Sequence, residues 1–319
     1  MGQVTIQQAD SKAEELTVLK ANLHTHTTNS DGTFSPSEVI GFYADAGYDV
    51  LAFTDHRTTN RVSEYDAEGM TLLSGIELHP AGPRGIPWHI LAIGIPENFS
   101  CTHPESGQQA VDAVRQAGGV AFAAHPYWCG FTAAEVMTLN GIAGIEVYNT
   151  STRYIGKEYN MTIWDETLDA GRNYTALAVD DVHGKPDLFR GWTMICAKSR
   201  QCKDILDALR NGSFYATQGP EFHRLSFHDG IFEAEFTPCA AAVLVGRQSS
   251  GYCAAIEAPD GPGTWREVSQ MRIDLRQAQP GCYFRCQLRD ASGRMAWSNP
   301  FRISKTALLL NKIALFQYI

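Results

Sequence analysis

Several common features are missing from this chain of 319 residues, and each absence removes a class of explanation. Its eight cysteines form no CxxC pair and no small-domain framework. That leaves neither a zinc ribbon nor a disulfide scaffold, and free buried thiols are the expectation. Cys282 and Cys286 share a strand face without making a bridge. No run approaches the roughly 18 apolar residues that a membrane span needs. The segment Met1–Asp10 has neither a basic n-region nor an apolar h-region, so no signal peptide is expected and a cytoplasmic location is. Low-complexity stretches, long linkers and internal repeats are missing too. Basic charge is also short. Residues 1–218 hold 15 Lys+Arg against 26 Asp+Glu, a balance of −11, and residues 219–319 hold 11 against 9, or +2. An acidic first region argues against a long nucleic-acid substrate, which would want a basic track. Small anionic substrates stay open, because bound divalent metals invert the local field.

What the chain does have is a series of histidines and carboxylates, each set just after a short apolar run. His24 and His26 follow one such run, Asp55-His56 a second, Glu77 a third, His125 a fourth, and Asp181 with His183 a fifth. Apolar runs of this length alternating with helical stretches read as buried parallel strands. In a barrel of such strands, the groups at the strand C-termini meet at one face. About seven βα-type units fit before residue 218. Ser35-Pro36 with Glu38 opens a helix through a capping box, and Thr132 with Glu135 opens another. Further helices are expected over 108–116, 161–170 and 202–210, and a strand over 88–95. After Gly219-Pro220 the character changes to short β-like segments separated by turns such as Asp229-Gly230 and Ser292-Gly293. The expected fold is therefore α/β. A barrel over 1–218 is followed by an all-β sandwich over 219–305 and an apolar tail over 306–319. That tail docks on the body or at an interface.

Residues two apart in a strand point to the same side. His24 and His26 can thus grip one metal, and Asp181 with His183 repeats the spacing. Imidazole and carboxylate together suit Zn, Mn or Fe. One His-x-His is weak evidence, but two such pairs, with Glu77 and His125 similarly placed, make coincidence a poor explanation. His79 could share the face of Glu77, as a site residue or as a plain structural histidine. His103 reads as solvated, and His223 and His228 have no site role. Asp55 is placed to orient His56. Asp180 should face away from Asp181 by alternation. Arg57, beside His56, is the best phosphate-binding candidate, with Tyr127 and Asn149 as further substrate contacts. Arg153, Lys157, Lys185 and Arg190 read as solvated charges.

His24-Thr25-His26, Ser30-Asp31-Gly32, Thr54-Asp55-His56, Gly75-Ile76-Glu77, His89-Ile90-Leu91, His125-Pro126 and Asp181-Val182-His183 resemble, in order, the motifs of the PHP family. This is the polymerase and histidinol phosphatase superfamily of metal-dependent phosphoesterases. The resemblance covers about residues 18–218. Within it, Asn22–Thr27, the Phe-Tyr-Ala-Thr-Gln-Gly-Pro-Glu of 214–221 and Trp297-Ser298-Asn299-Pro300 look like the branch of CehA/McbA-type metallohydrolases. The resemblance implies a distorted seven-stranded β/α barrel and two or three divalent metal ions. His24, His26, Glu77 and Asp181 would hold the first metal. Glu77 would bridge to a second with His89 and His125, and Asp31, His56 and His183 would hold a third.

The reaction expected is hydrolysis of small phosphate esters by a metal-bridging hydroxide. Glu77, Asp181 and His183 stand at its centre. The general acid is left open between metal-bound water and a His183 outside the coordination sphere. The first alternative is a carboxyl-ester or carbamate hydrolase on the same site, for which Trp88, Trp128 and Phe131 would line the pocket. The second is a non-catalytic metal-binding module. Metal identity, substrate and oligomeric state are not read from the sequence.

Overall fold

The computed structural model describes residues 4–5, 15–255 and 267–303. The apolar tail over 306–319 lies outside them. In chain order the first region runs β1 (Val4–Thr5), β2 (Glu15–Asn22), α1 (Pro36–Asp45), β3 (Val50–Phe53), β4 (Thr71–Leu78), β5 (Ile90–Ile93), α2 (Gly107–Gln116) and β6 (Val120–Ala123). It continues with α3 (Pro126–Cys129), α4 (Ala133–Val136), β7 (Gly144–Asn149), α5 (Met161–Asp169), β8 (Thr175–Val179), β9 (Trp192–Ala197), α6 (Cys202–Asn211) and β10 (Phe214–Thr217). Strands alone follow: β11 (Phe222–His228), β12 (Ile231–Cys239), β13 (Ala241–Gly246), β14 (Gly251–Ala255), β15 (Val268–Asp274), β16 (Tyr283–Arg289), β17 (Met295–Ser298) and β18 (Phe301–Arg302).

The helices start where their caps dictate. Ser35 accepts from the Glu38 amide while the Glu38 carboxylate accepts from the Ser35 amide, and Thr132 and Glu135 do the same for α4. Each box satisfies two amide donors that the first helical turn leaves free. The expected helix from Ala133 shortens to four residues, and α3 was not expected at all.

Strands β2 to β8 lie side by side in chain order. β2, β3 and β4 pair parallel, as do β6, β7 and β8, but β5 is antiparallel to both neighbours. The reading of every run as parallel is corrected there. Eleven residues separate β4 from β5 and carry no α-helix, so the chain turns straight back; a parallel return needs a longer crossover. Beyond their ends the segments leaving β2 and β8 meet through a parallel bridge between Thr25 and Val182. The His26 amide donates to the Val182 carbonyl at 3.1 Å, and the Asp181 amide to the His24 carbonyl at 3.0 Å.

Alternation divides each strand between two cores. Leu91 and Ile93 of β5 join Leu19, Ala21, Ala52, Phe122 and Leu177 inside, whereas Ile90 and Ala92 pack outward against α2 and α5 residues such as Val111 and Trp164. Among the described residues no helix is long and apolar enough to cross a membrane.

The sheet does not stop at residue 218. β9 pairs with β2, β10 with β9 and β17 with β10, and the path continues to β16, β13 and β14. β11, β12 and β15 form a separate three-stranded sheet, and facing side chains such as Phe227, Phe232, Leu244 and Phe284 make one apolar cluster. A seam joins this part to the helices. Arg285, 2% exposed, holds Asp165 of α5 through two bonds of 2.7 Å and lies over Trp164. Asn299 accepts from the Ala176 amide at 2.9 Å and donates to the Gly212 and Phe214 carbonyls. The eight cysteines are all free, as expected, but only Cys196, Cys239, Cys282 and Cys286 are buried.

Candidate metal centre

Strand ends bring the chemistry together. His24 and His26 flank the bridging Thr25, so the two-residue alternation survives past the end of β2 and both rings face one way. Their Nε2 atoms stand 3.0 Å apart and lie 3.1 and 3.0 Å from Asp181 Oδ1. Glu77, in β4, sits between the other groups. Its Oε1 is 2.8 Å from His89 Nδ1 and 3.3 Å from His125 Nε2, and its Oε2 is 2.7 Å from His56 Nδ1. Asp31 reaches His56 Nε2 at 3.3 Å and His183 Nε2 at 3.5 Å. His89 precedes its strand instead of following it, and the reversal of β5 is what delivers it to the shared face.

Two residues of the cluster are held in sparsely populated backbone conformations, His125 at φ 26° and Asp181 at φ 52°. Such strain of about 1–3 kcal/mol persists where the surroundings over-determine it. Gly32 is required beside Asp31, because a Cβ there would meet the His26 carbonyl at 2.6 Å.

Four residues take roles the sequence did not assign. Glu146, inside β7, lies with Oε1 2.6 Å from His24 Nδ1, and its Oε2 accepts from the His125 amide at 2.8 Å. A carboxylate on the far nitrogen fixes the tautomer and leaves Nε2 facing the cluster. A charged residue inside an apolar strand run was the available signal. Asn149 is buried and donates to Glu146 and Asp181 at 2.8 and 3.0 Å. Burial leaves it no face toward a substrate, so the contact expected of it is replaced by those to Glu146 and Asp181. Asp55 does not orient His56. It accepts from the Thr27 amide, Ser30 and Asn60 at 2.6–2.7 Å, and so pins the turn that carries Asp31. His79 places Nε2 2.7 Å from His56 Nδ1, inside the cluster. Asp180 does point away, into the Phe189, Arg190 and Gly191 amides and the Tyr43 hydroxyl. Burial raises it to about 6.

Electrostatics follow from this crowding. Burial opposes charge on Glu77, but His24, His89 and His125 hold it well below the usual carboxylate range. Asp181 is held low in the same way, against burial, by His24 and His26. Burial pushes His26 down, and it pushes His79 down to about 3. For His56 and His183 burial is outweighed by Asp31 together with Glu77 or Asp181, and both rise to about 9.

The donor set fits divalent metal ions. Glu77 Oε2 is buried with no hydrogen bond, although His24, His26, His56 and His79 each bring a nitrogen within 3.7 Å. His24 Nε2 and His26 Nε2, 3.0 Å apart, share a proton when one ring is protonated there, and with both lone pairs turned inward they would share a cation. Ligand spacings of about 3.0–3.5 Å are what bonds of about 2.0–2.2 Å to a shared ion impose. The groups able to share an ion are His24-His26-Asp181, His24-Glu77-His125, His26-Asp31-His56-His183, His56-Glu77-His79 and His89-His125-Cys129. All nine residues expected from the sequence fall in these groups, and His79 and Cys129 join them. Of the substrate candidates, Arg57 is exposed with φ 56°, and Tyr127 is 46% exposed. Trp88 and Phe131 stack on each other in the core at 4.0 Å, so only Trp128 of the three aromatics reaches the site.

No family model matches the chain. A 5′-3′ exoribonuclease of Haemophilus influenzae is 36% identical over 91 residues, which are 27% of this chain and 31% of that protein. The chain thus spans about a third of the length of the curated relative it matches. A two-domain protein from Bacteroides vulgatus, containing a predicted PHP-like metal-dependent phosphoesterase, is 19% identical. The match covers 91% of this chain and 95% of that one at a TM-score of 0.54. At that identity the likeness speaks for a shared fold. A lesion-specific endonuclease from Pyrococcus furiosus is 13% identical over 61% of this chain and 56% of that one, with a TM-score of 0.45.

Proposed function

We propose that this chain is a metal-dependent hydrolase of phosphate esters, acting at the cluster around Glu77. The orphaned Glu77 Oε2, buried among four imidazole nitrogens, carries the proposal. His24, His26 and Asp181 would hold one ion, Glu77 would reach a second with His89 and His125, and Asp31, His56 and His183 would complete a third position. Bound there, divalent ions would supply a hydroxide near neutral pH and neutralise charge on the phosphoryl oxygens. The protein's own part is positioning. Glu146 orients His24, Asn149 fixes Asp181, and Asp55 holds the turn bearing Asp31. The Arg57 amide donates to the Glu77 carbonyl at 3.0 Å, and its guanidinium, with no hydrogen bond or ion pair among the described residues, is left for non-bridging phosphate oxygens. With the third position filled, metal-bound water would return the proton to the leaving group; with it empty, His183, a third exposed with its Nδ1 on the Asp181 carbonyl at 2.9 Å, is placed to do so from Nε2.

The same reading takes β2–β8 as a distorted seven-stranded barrel spanning residues 1–218, and the strands of 219–305 as a β-sandwich against it. The Bacteroides vulgatus likeness, which runs through both parts, supports it. The likeness to CehA/McbA-type enzymes supports a second reading, carboxyl-ester or carbamate hydrolysis, and Trp128 beside the cluster is the observation in its favour. The acidic first region speaks for small substrates. The name of the Haemophilus influenzae relative nonetheless puts RNA phosphodiesters on the panel.

The test is p-nitrophenol release from the phosphate monoester, the phosphodiester and the acetate ester, by metal-stripped protein and by protein reloaded with Mn, Fe or Zn. Metal-dependent turnover of a phosphate ester supports the proposal. Turnover of the acetate alone moves the assignment to the second reading, and tight metal binding with no turnover of any ester leaves a non-catalytic module.

A further inference from the structure

Among the described residues, six large apolar side chains are exposed. Five of them, Tyr127, Trp128, Tyr154, Ile155 and Phe189, lie on the segments that leave β6, β7 and β8 on the side of the ligand cluster. Scattered surface aromatics need no explanation, but a concentration at one face does. Trp128 is the innermost. Its ring stands 5.1 Å from that of His125 and 5.5 Å from that of His89, both near perpendicular, and it remains 41% exposed. Lys157 Nζ lies 5.2 Å over the neighbouring Tyr127 ring and has no carboxylate partner among the described residues.

We propose that Trp128 is a stacking platform for the nucleobase of a nucleotide whose phosphate ester lies at the Glu77 cluster. This deepens the phosphoester reading and rests on it. The imidazoles of His89 and His125 stand between the indole and Glu77. A ring stacked on Trp128 is therefore separated from the reacting ester by a spacer, as a base is by its pentose. An aryl ester, whose ring is bonded directly to the ester oxygen, has no such spacer. The planar face accepts any base, so the contact favours bases over no base without choosing among them. The same chemistry is offered by a free nucleotide and by the end of a single strand.

Two substrate pairs test this on zinc- or manganese-loaded protein: adenosine 5′-monophosphate against ribose 5-phosphate, and a short oligoadenylate against the same strand with an abasic terminal residue. Calorimetric binding and product release are both read. The expectation is a preference for the base-bearing partner of about 10-fold or more. It should collapse in Trp128→Ala and be largely restored in Trp128→Phe, with metal content unchanged in both. Preference in the first pair points to free nucleotides, and preference confined to the second points to strand ends. No preference in the wild type, or an undiminished one in Trp128→Ala, overturns the stacking platform. Base-dependent binding without release of any product keeps the platform and removes the phosphoester reading.

Discussion

Two of the places where the described residues bury charge do so in opposite ways. At the seam, Arg285 meets Asp165 through two parallel bonds of 2.7 Å and covers Trp164. Donor and acceptor are matched, and no third party is needed. At the cluster around Glu77, that carboxylate, Asp181 and seven of the ten histidines crowd together, Glu77 Oε2 makes no hydrogen bond, and His125 and Asp181 sit at positive φ. Buried charge that closes on itself is architecture, whereas buried charge left open is a site built for a cation.

Glu77→Ala breaks the comparison hardest. It removes the carboxylate shared by several ligand groups, so metal content should fall by at least one ion and turnover by about a thousandfold or more. Normal turnover in that variant would sink the shared-carboxylate arrangement. Arg285→Ala should do the reverse, lowering stability by about 3 kcal/mol in denaturant titration while metal content per folded molecule stays constant. A loss of metal there would mean that seam and cluster are one unit.

Glu146→Gln keeps the shape beside His24 and removes the charge. Metal affinity should weaken about 10- to 100-fold with little change in melting temperature before metal is added. His56 and His183, raised to about 9, carry protons at neutral pH in the metal-free protein. Those protons must leave when metal enters, so affinity should climb from pH 7 and level off above about 9. An affinity flat over that interval would show that neither ring is a ligand. In the metal-free protein the sign is opposite. The stability contributed by these raised groups is full below about 6.5 and fades as pH rises through about 9, which pH-dependent melting would record. The smallest effect is expected at a distance from both places. Thr132→Ala should cost about 1 kcal/mol through the lost cap of α4 and leave metal binding alone.

Much of this was legible in the residues. The capping boxes at Ser35 and Thr132, the short apolar strands and the turn-separated β segments are local patterns. Local patterns survive folding because they are set by backbone sterics and side-chain alternation. His24, His26, His56, Glu77, His125, Asp181 and His183 were recognisable for the same reason, as polar residues set just after short apolar runs, whereas Asp31 and His89 came only with the family resemblance. The reversal of β5 was not legible, since an apolar run of four residues has the same composition in either direction. Nor was the part played by β10 and β17, short strands whose pairing carries the sheet from one half of the chain to the other.

The inward roles of Asn149 and Asp55 also needed the fold, because a polar residue near a strand end can turn either way until its neighbours are known. Glu146 makes the division plain. Its sequence places a carboxylate in a buried strand, which is costly unless something answers it. Only the tertiary structure, which brings residue 24 to residue 146 across 122 positions of chain, supplies the answering imidazole. The sequence by itself determined which residues could ligate and roughly where strands would present them. The tertiary structure decided which atoms meet, because strand direction and long-range pairing depend on the whole packed sheet rather than on any stretch of it.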